Sequence, residues 1–234
     1  FIITSAQRIN QTEHHLNDIN VFPVADGDTG TNMAITMNNI VTEVRDYQKN
    51  SFEEMIQRIA RAALMGARGN SGAILAQFFQ GLAEATRGMN TLTTVSFSKA
   101  VVKAAEQATM AIANPREGTI ITVMKDWAYY TNRLAHKTPD FVELFKKSLR
   151  KAKASLLETP NKLTVLKNAG VVDAGAEGFV NLLEGIVDFI EYGKLRTLQK
   201  NEIESFANFR KKRASYPRGK VKFRYCAECL LEGT

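Results

Sequence analysis

Apolar residues recur three and four positions apart through almost the whole chain, and before residue 219 the pattern nowhere changes to the alternation of a strand. Phe52, Met55, Ile56, Ile59, Ala60 and Ala63 mark one stripe, and Ile74, Leu75, Phe78, Phe79 and Leu82 mark another. A period of this kind lets each helix bury one face against its neighbours. Helices are expected near 3–17, 31–47, 52–63, 74–82, 97–112 (opened by Ser96 or Ser98), 119–134 and 139–157, with Pro139 in a first turn. A short helix from Thr159 that Gly170 stops, and a last one over 176–192, complete the series. Eight or nine helices without a strand predict an all-α domain, and 234 residues at 44% hydrophobic are enough to bury a full core.

The net charge of +7 is not spread over this body. Arg210, Lys211, Lys212, Arg213, Arg218, Lys220, Lys222 and Arg224 lie in a stretch without a single acid, which leaves the rest near neutral. The expected organisation is a helical domain over 1–195, a solvated basic linker over 196–218, and the truncated, strand-like start of a further domain over 219–234. Both ends are expected to continue into a longer chain. Nucleic-acid binding through 210–224 is not expected, because the body shares none of the positive charge. No run approaches the roughly 18 apolar residues of a membrane span, and the first residues lack a signal-peptide pattern, so a cytoplasmic location without integral membrane contact is expected. Cys226 and Cys229 have the spacing of half a zinc site or a redox pair, but they sit in alternating residues and read as a reduced pair. His14, His15 and His136 read as surface or packing residues.

The loops are less ordinary than the helices. DGDTGTN at 26–32, GARGNSG at 66–72, NPREGT at 114–119 and DAGAEG at 173–178 are each rich in Gly and small polar residues, and each immediately precedes a helix. Such a turn presents free backbone N–H groups and the positive end of a helix dipole, a setting for an anion. An up-and-down helical array places every second loop at the same end, so the four are expected to gather around one polyphosphate.

Asp26 and Asp28 carry the sharpest chemical signal. Two carboxylates separated by one residue repel each other, and a hard cation ligated by both explains their placement. Magnesium takes octahedral oxygen ligands, one or two of them carboxylates, and completes its shell with phosphate and water. A calcium-binding EF-hand loop starting at Asp26 would need an acid or Asn at its fifth position and Glu at its twelfth, where Gly30 and Met37 stand. The chain contains no G-x-x-x-x-G-K-[ST], G-x-G-x-x-G, H-R-D or D-F-G, which excludes Walker-type and protein-kinase-type sites.

NVFPVADGDTGTNM, ALMGARGNSGAILAQ, REGTIITV and NAGVVDAGAEG, in this order, resemble the nucleotide-binding subunit of dihydroxyacetone kinases and, more closely, the amino-terminal domain of the bacterial fatty acid kinase catalytic subunit. The resemblance runs from about residue 5 to about residue 193. It implies a barrel of eight antiparallel amphipathic helices with ATP and two Mg2+ ions held by the loops at one end. Position by position, it implies that Asp26 and Asp28 hold magnesium, with Asn20 the nearest equivalent of a third ligand. Thr29, Gly30, Thr31 and Asn32 match the phosphate-facing start of a helix, and Asn70, Ser71 and Gly72 match a glycine-rich phosphate turn. Gly118 and Thr119 match a loop near the nucleotide, and Asp173, Ala174 and Gly175 an adenosine-side loop. Arg68 and Arg116 are charge partners for phosphate on the same grounds, and each reads equally as a surface residue.

The resemblance further implies phosphoryl transfer from ATP to the carboxylate of a fatty acid presented by a separate carrier protein, giving an acyl phosphate. A carboxylate is already ionised at neutral pH, so alignment and charge neutralisation matter more than a base. The expected partners are that carrier subunit, ATP and the missing domains of the same chain, with homodimerisation left open. Two readings stand beside it: a dihydroxyacetone-type nucleotide subunit, and a nucleotide-binding sensor without catalysis.

Overall fold

The computed structural model describes residues 1–47 and 51–193, and among them it is all-α, with ten helices and no strand. The expected linker and strand-like segment, with Cys226, Cys229 and the basic run, lie outside the described residues. Eight helices are long: α1 (Ile2–Asp18), α2 (Thr29–Val44), α3 (Phe52–Gly66), α4 (Gly69–Ala85), α5 (Thr94–Met110), α6 (Ile120–Ala135), α7 (Phe141–Leu157) and α10 (Ala174–Tyr192). Two short ones, α8 (Thr159–Lys162) and α9 (Thr164–Ala169), replace the single short helix expected there. No helix among the described residues is long and apolar enough to cross a membrane.

Helix starts follow local chemistry. Ser51 accepts the N–H of Glu54 to cap α3, and Glu53 and Glu54 oppose the positive end of its dipole. α5 opens three residues earlier than Ser96 predicts, because Thr93 is the cap and Ser96 completes a capping box with it. α7 is capped by Asp140, which leaves Pro139 just outside the helix. Gly170 ends α9 in the left-handed region.

Each long helix packs on the next, and α10 packs on both α7 and α1, so the order of neighbours is cyclic. α10 also touches α2 and α6, and thirteen of its nineteen residues are buried. Phe78 of α4, Trp127 of α6 and Phe179 of α10 meet edge-on or tilted in the core, with ring centroids 5.5 to 6.3 Å apart.

The α1–α10 contact is a polar seam inside this apolar core. Buried Arg8 pairs with Asp188, Thr12 accepts from Asn181 at 3.0 Å, and His15 meets Glu177 at 2.9 Å. Each step forward on α1 matches a step back on α10, so the pairs define antiparallel register. A methyl carbon built on Gly185 would lie 2.6 Å from Ser5 Cα and 2.7 Å from Thr4 O, both backbone atoms with no rotamer to escape into. Gly185→Ala should therefore push α1 from α10 and cost about 1–3 kcal/mol, readable as a lower midpoint in denaturant.

Candidate functional site

Four helix N-termini open onto one cleft of about 150 Å3. Its wall includes Thr29 at the start of α2, Asn70 and Ser71 in the first turn of α4, Thr119 and Ile120 at the start of α6, and Asp173 and Gly175 at the start of α10. The four polar loops converge as their alternation along the chain requires. The lining also includes apolar Phe22, Pro23, Ile74, Ile112, Pro115 and Ile121, and exposed Arg116. A lining that joins apolar side chains to helix N-termini suits a ligand with a flat apolar part and an anionic part.

Side-chain capping is uneven among the long helices. α3, α5 and α7 are capped by the side chains of Ser51, Thr93 and Asp140. α2, α4 and α6, which open onto the cleft, receive no cap bond from their own N-cap side chains, those of Asp28, Arg68 and Thr119. The polar residues of these three loops are therefore not accounted for as helix caps. Two donors are instead taken from a distance: Asn17 Oδ1 accepts the N–H of Thr31 at 3.1 Å, and Asp173 Oδ1 accepts that of Ile120 at 2.9 Å.

Asp173 holds two helices at once. The same Oδ1 accepts the N–H of Ala176 at 2.8 Å, capping its own helix while it anchors α6. Burial pushes its carboxyl up to about 6, against the opposing effect of the Ala176 and Ile120 N–H donors. Its backbone N–H donates to Thr159 Oγ1 at 3.2 Å, which ties α8 to the same point.

Asp26 and Asp28 are exposed on the turn before α2, and Gly27 between them sits at φ 72°, a conformation that glycine adopts without strain. Buried Asn20 donates Nδ2–H to Asp26 Oδ1 at 2.7 Å, while its own Oδ1 is buried and has no hydrogen-bond partner. An unsatisfied buried acceptor beside a carboxylate is a donor set that fits a hard cation. No group of three or more His, Cys, Asp or Glu able to hold a metal occurs among the described residues, so phosphate and water would have to complete the shell.

Several expected phosphate contacts have other surroundings. Thr29, Gly30, Thr31 and Asn32 form the first turn of α2, and of the four only Thr29 lines the cleft. Gly30 is buried where any side chain would collide with the Glu13 carbonyl, and Thr31 is bound to Asn17 and Glu13. Asn32 lies against Gly69, and Gly72, buried in α4, lies against Thr36 Oγ1. These are contacts of α2 with α1 and α4, a constraint that a motif string does not express. Asn70, Ser71 and Gly72 belong to a helical first turn, as do Ala174 and Gly175. Gly118 is buried beside the cleft at φ 82° and donates its N–H to Thr122 Oγ1 at 3.0 Å. Arg68 is exposed and turns its guanidinium to the Ala67 carbonyl, 2.7 Å away. His14 and His136 are exposed, and His15 is a packing residue of the α1–α10 seam. Asn17, Glu13 and the apolar lining carry no motif signal of their own, because each acts through residues distant in sequence.

The described residues thus form a cyclic array of long helices with a cleft among the loops at their N-termini, and the chain has no Walker or protein-kinase motif. The DAK2 domain model matches residues 23–188, and the chain belongs to that family, which is dihydroxyacetone-kinase-like and associated with kinase function. It is similar to an uncharacterized protein of Staphylococcus aureus strain USA300, with 38% identity over 194 residues, covering 83% of this chain and 35% of that protein. Counterparts in S. aureus strain NCTC 8325 and in bovine strain RF122, also uncharacterized, match to the same extent. The chain thus spans about a third of the length of the curated relatives it matches.

Proposed function

We propose that this chain is the nucleotide-binding domain of a kinase that moves the γ-phosphoryl group of ATP onto the carboxylate of a fatty acid presented by a carrier protein. The observation that carries the reading is the convergence of four helix N-termini on one cleft, three of them without a cap from their own side chains, beside the Asn20–Asp26 pair. The apolar lining of Phe22, Ile74 and Ile112 takes the adenine, and Thr29, Asn70 and Ser71 face the phosphates. Asp26, Asp28 and Asn20 Oδ1 hold magnesium, which when bound neutralises phosphate charge and fixes the γ-phosphoryl for in-line attack. A carboxylate oxygen of the acid forms the new P–O bond as the bond to the β-phosphate oxygen breaks and ADP leaves. No proton need be removed.

That last point favours a carboxylic acid over an alcohol such as dihydroxyacetone. An alcohol needs a proton acceptor, and Asp173, the only carboxylate among the described residues lining the cleft, is committed to two backbone N–H groups. The test is calorimetric titration of a non-hydrolysable ATP analogue with and without magnesium, followed by hydroxylamine trapping of acyl phosphate with a carrier-bound fatty acid, and by a parallel assay with dihydroxyacetone. Magnesium-dependent binding and acyl hydroxamate are expected. Product from dihydroxyacetone alone would assign the alcohol branch, binding without turnover of either acceptor would leave a sensor, and absence of magnesium-dependent binding would remove the proposal.

A further inference from the structure

We infer that Asn17 is a positioning residue that fixes the Asp26–Asp28 turn from outside the loop. α1 ends beside the start of α2, and the contact is closer than a side chain at Gly30 would allow. Across it, the Asn17 carboxamide engages one residue with both of its ends. Its Oδ1 accepts the Thr31 backbone N–H at 3.1 Å, and its Nδ2 donates to Thr31 Oγ1 at 2.9 Å. Thr31 Oγ1 donates in turn to Glu13 Oε1 at 2.7 Å. The hydroxyl thus gives its one proton to Glu13 and receives one from Asn17, a directional chain with a single arrangement. The same residue also backs the turn itself, since a methyl carbon on Gly27 would meet the Asn17 carbonyl oxygen at 3.7 Å.

The consequence is geometric. Asp28 is the N-cap of α2 and its carbonyl accepts the Asn32 N–H at 2.8 Å, so the position of the first turn of α2 dictates where Asp28 stands. Two of the N–H groups at this helix start, those of Thr31 and Asn32, are used within the protein, and Thr29 is the first-turn residue left lining the cleft. Asn17 is not among the residues lining the cleft, and both ends of its carboxamide are engaged by Thr31. Its part is to hold the carboxylate turn in one place before either arrives, so that ordering the turn does not draw on the energy of binding. The role in metal binding rests on the proposed function, whereas the clamp on the turn does not.

The experiment compares folded Asn17→Ala with the native protein, with Asn10→Ala as control, because Asn10 pairs with Asn38 across the same two helices at an exposed position. Without any ligand, amide exchange at Thr31 is expected to rise about tenfold or more in Asn17→Ala and to be unchanged in Asn10→Ala. With a fixed concentration of ATP analogue, the magnesium needed for half-saturation should rise about tenfold to a hundredfold. Glu13→Ala should reproduce part of both effects, and Glu13→Gln, which keeps an acceptor for the Thr31 hydroxyl, should restore native values. Exchange within twofold of native in Asn17→Ala, or the same rise in Asn10→Ala, overturns the clamp. Faster exchange with an unchanged magnesium requirement overturns its role in positioning the carboxylates. A native protein that binds no magnesium nucleotide refutes the proposed function, and the exchange measurement then decides the clamp by itself.

Discussion

Asp26→Ala combined with Asp28→Ala is expected to abolish magnesium-dependent binding of an ATP analogue and to lower phosphoryl transfer by about a hundredfold or more while the domain stays folded. The size of the effect follows from charge. A polyphosphate brought against helix N-termini gains only partial positive charges, on the order of half a charge per helix. Full neutralisation needs a divalent ion, which on the proposed reading the two exposed carboxylates and the unpartnered Asn20 acceptor would hold. The fold is spared because both aspartates are exposed, and removing the hydrogen bond from Asn20 to Asp26 costs about 1 kcal/mol. Calorimetry with circular dichroism on the same sample separates the two outcomes. Native-like binding by the double variant would make Asp26 and Asp28 ordinary turn residues.

The second large effect concerns stability rather than ligand. Burial raises the Asp173 carboxyl to about 6 in the folded protein, whereas in the unfolded chain it titrates near 3.8. The folded state then binds the proton more tightly than the unfolded one. Well below pH 3.8 the group is protonated in both states and its full contribution to stability is present. That contribution falls as pH rises through 6 and is constant above. Two units of pKa correspond to about 3 kcal/mol lost between pH 4 and pH 7. Asp173→Asn keeps an oxygen for the Ile120 and Ala176 N–H groups and cannot ionise, so the slope should vanish and the variant should gain up to about 3 kcal/mol at pH 7. Asp173→Ala strands both donors at the starts of α6 and α10, so it should be about 3 kcal/mol less stable than Asp173→Asn at every pH, its deficit relative to native shrinking as pH rises. Chemical denaturation of the three proteins at pH 4 and pH 7 checks the ranking. Other carboxylates titrate in the same range, which is why the difference between native and Asn variant is the quantity to read. Parallel curves for the two would show that Asp173 is not raised.

Helix existence was legible in the 3.6-residue stripes, and a boundary was legible where a glycine stops its helix, as at Gly170. The misplaced starts of α5 and α7 show the limit: Thr93 rather than Ser96 or Ser98 caps α5, and Asp140 rather than a first turn at Pro139 opens α7, choices made by the capping bonds. Among the site residues, Thr29, Asn70, Ser71, Thr119, Asp173 and Gly175 were named from their loops and line the cleft. Gly30, Thr31, Asn32 and Gly72 stand in the same motifs and do not, because their immediate surroundings are other helices.

What the chain determines by itself is local: apolar period makes helices, and glycine and small polar residues make the turns before them. Tertiary structure decided which of the motif residues face the cleft and which pack between α1, α2 and α4. It also supplied the distant partners, Asn17 for the start of α2 and Asp173 for the start of α6. The reason is that a hydrogen bond between residues 14 or 53 positions apart depends on how whole helices are set against each other, and that setting comes from the packing of the core rather than from any short stretch of sequence.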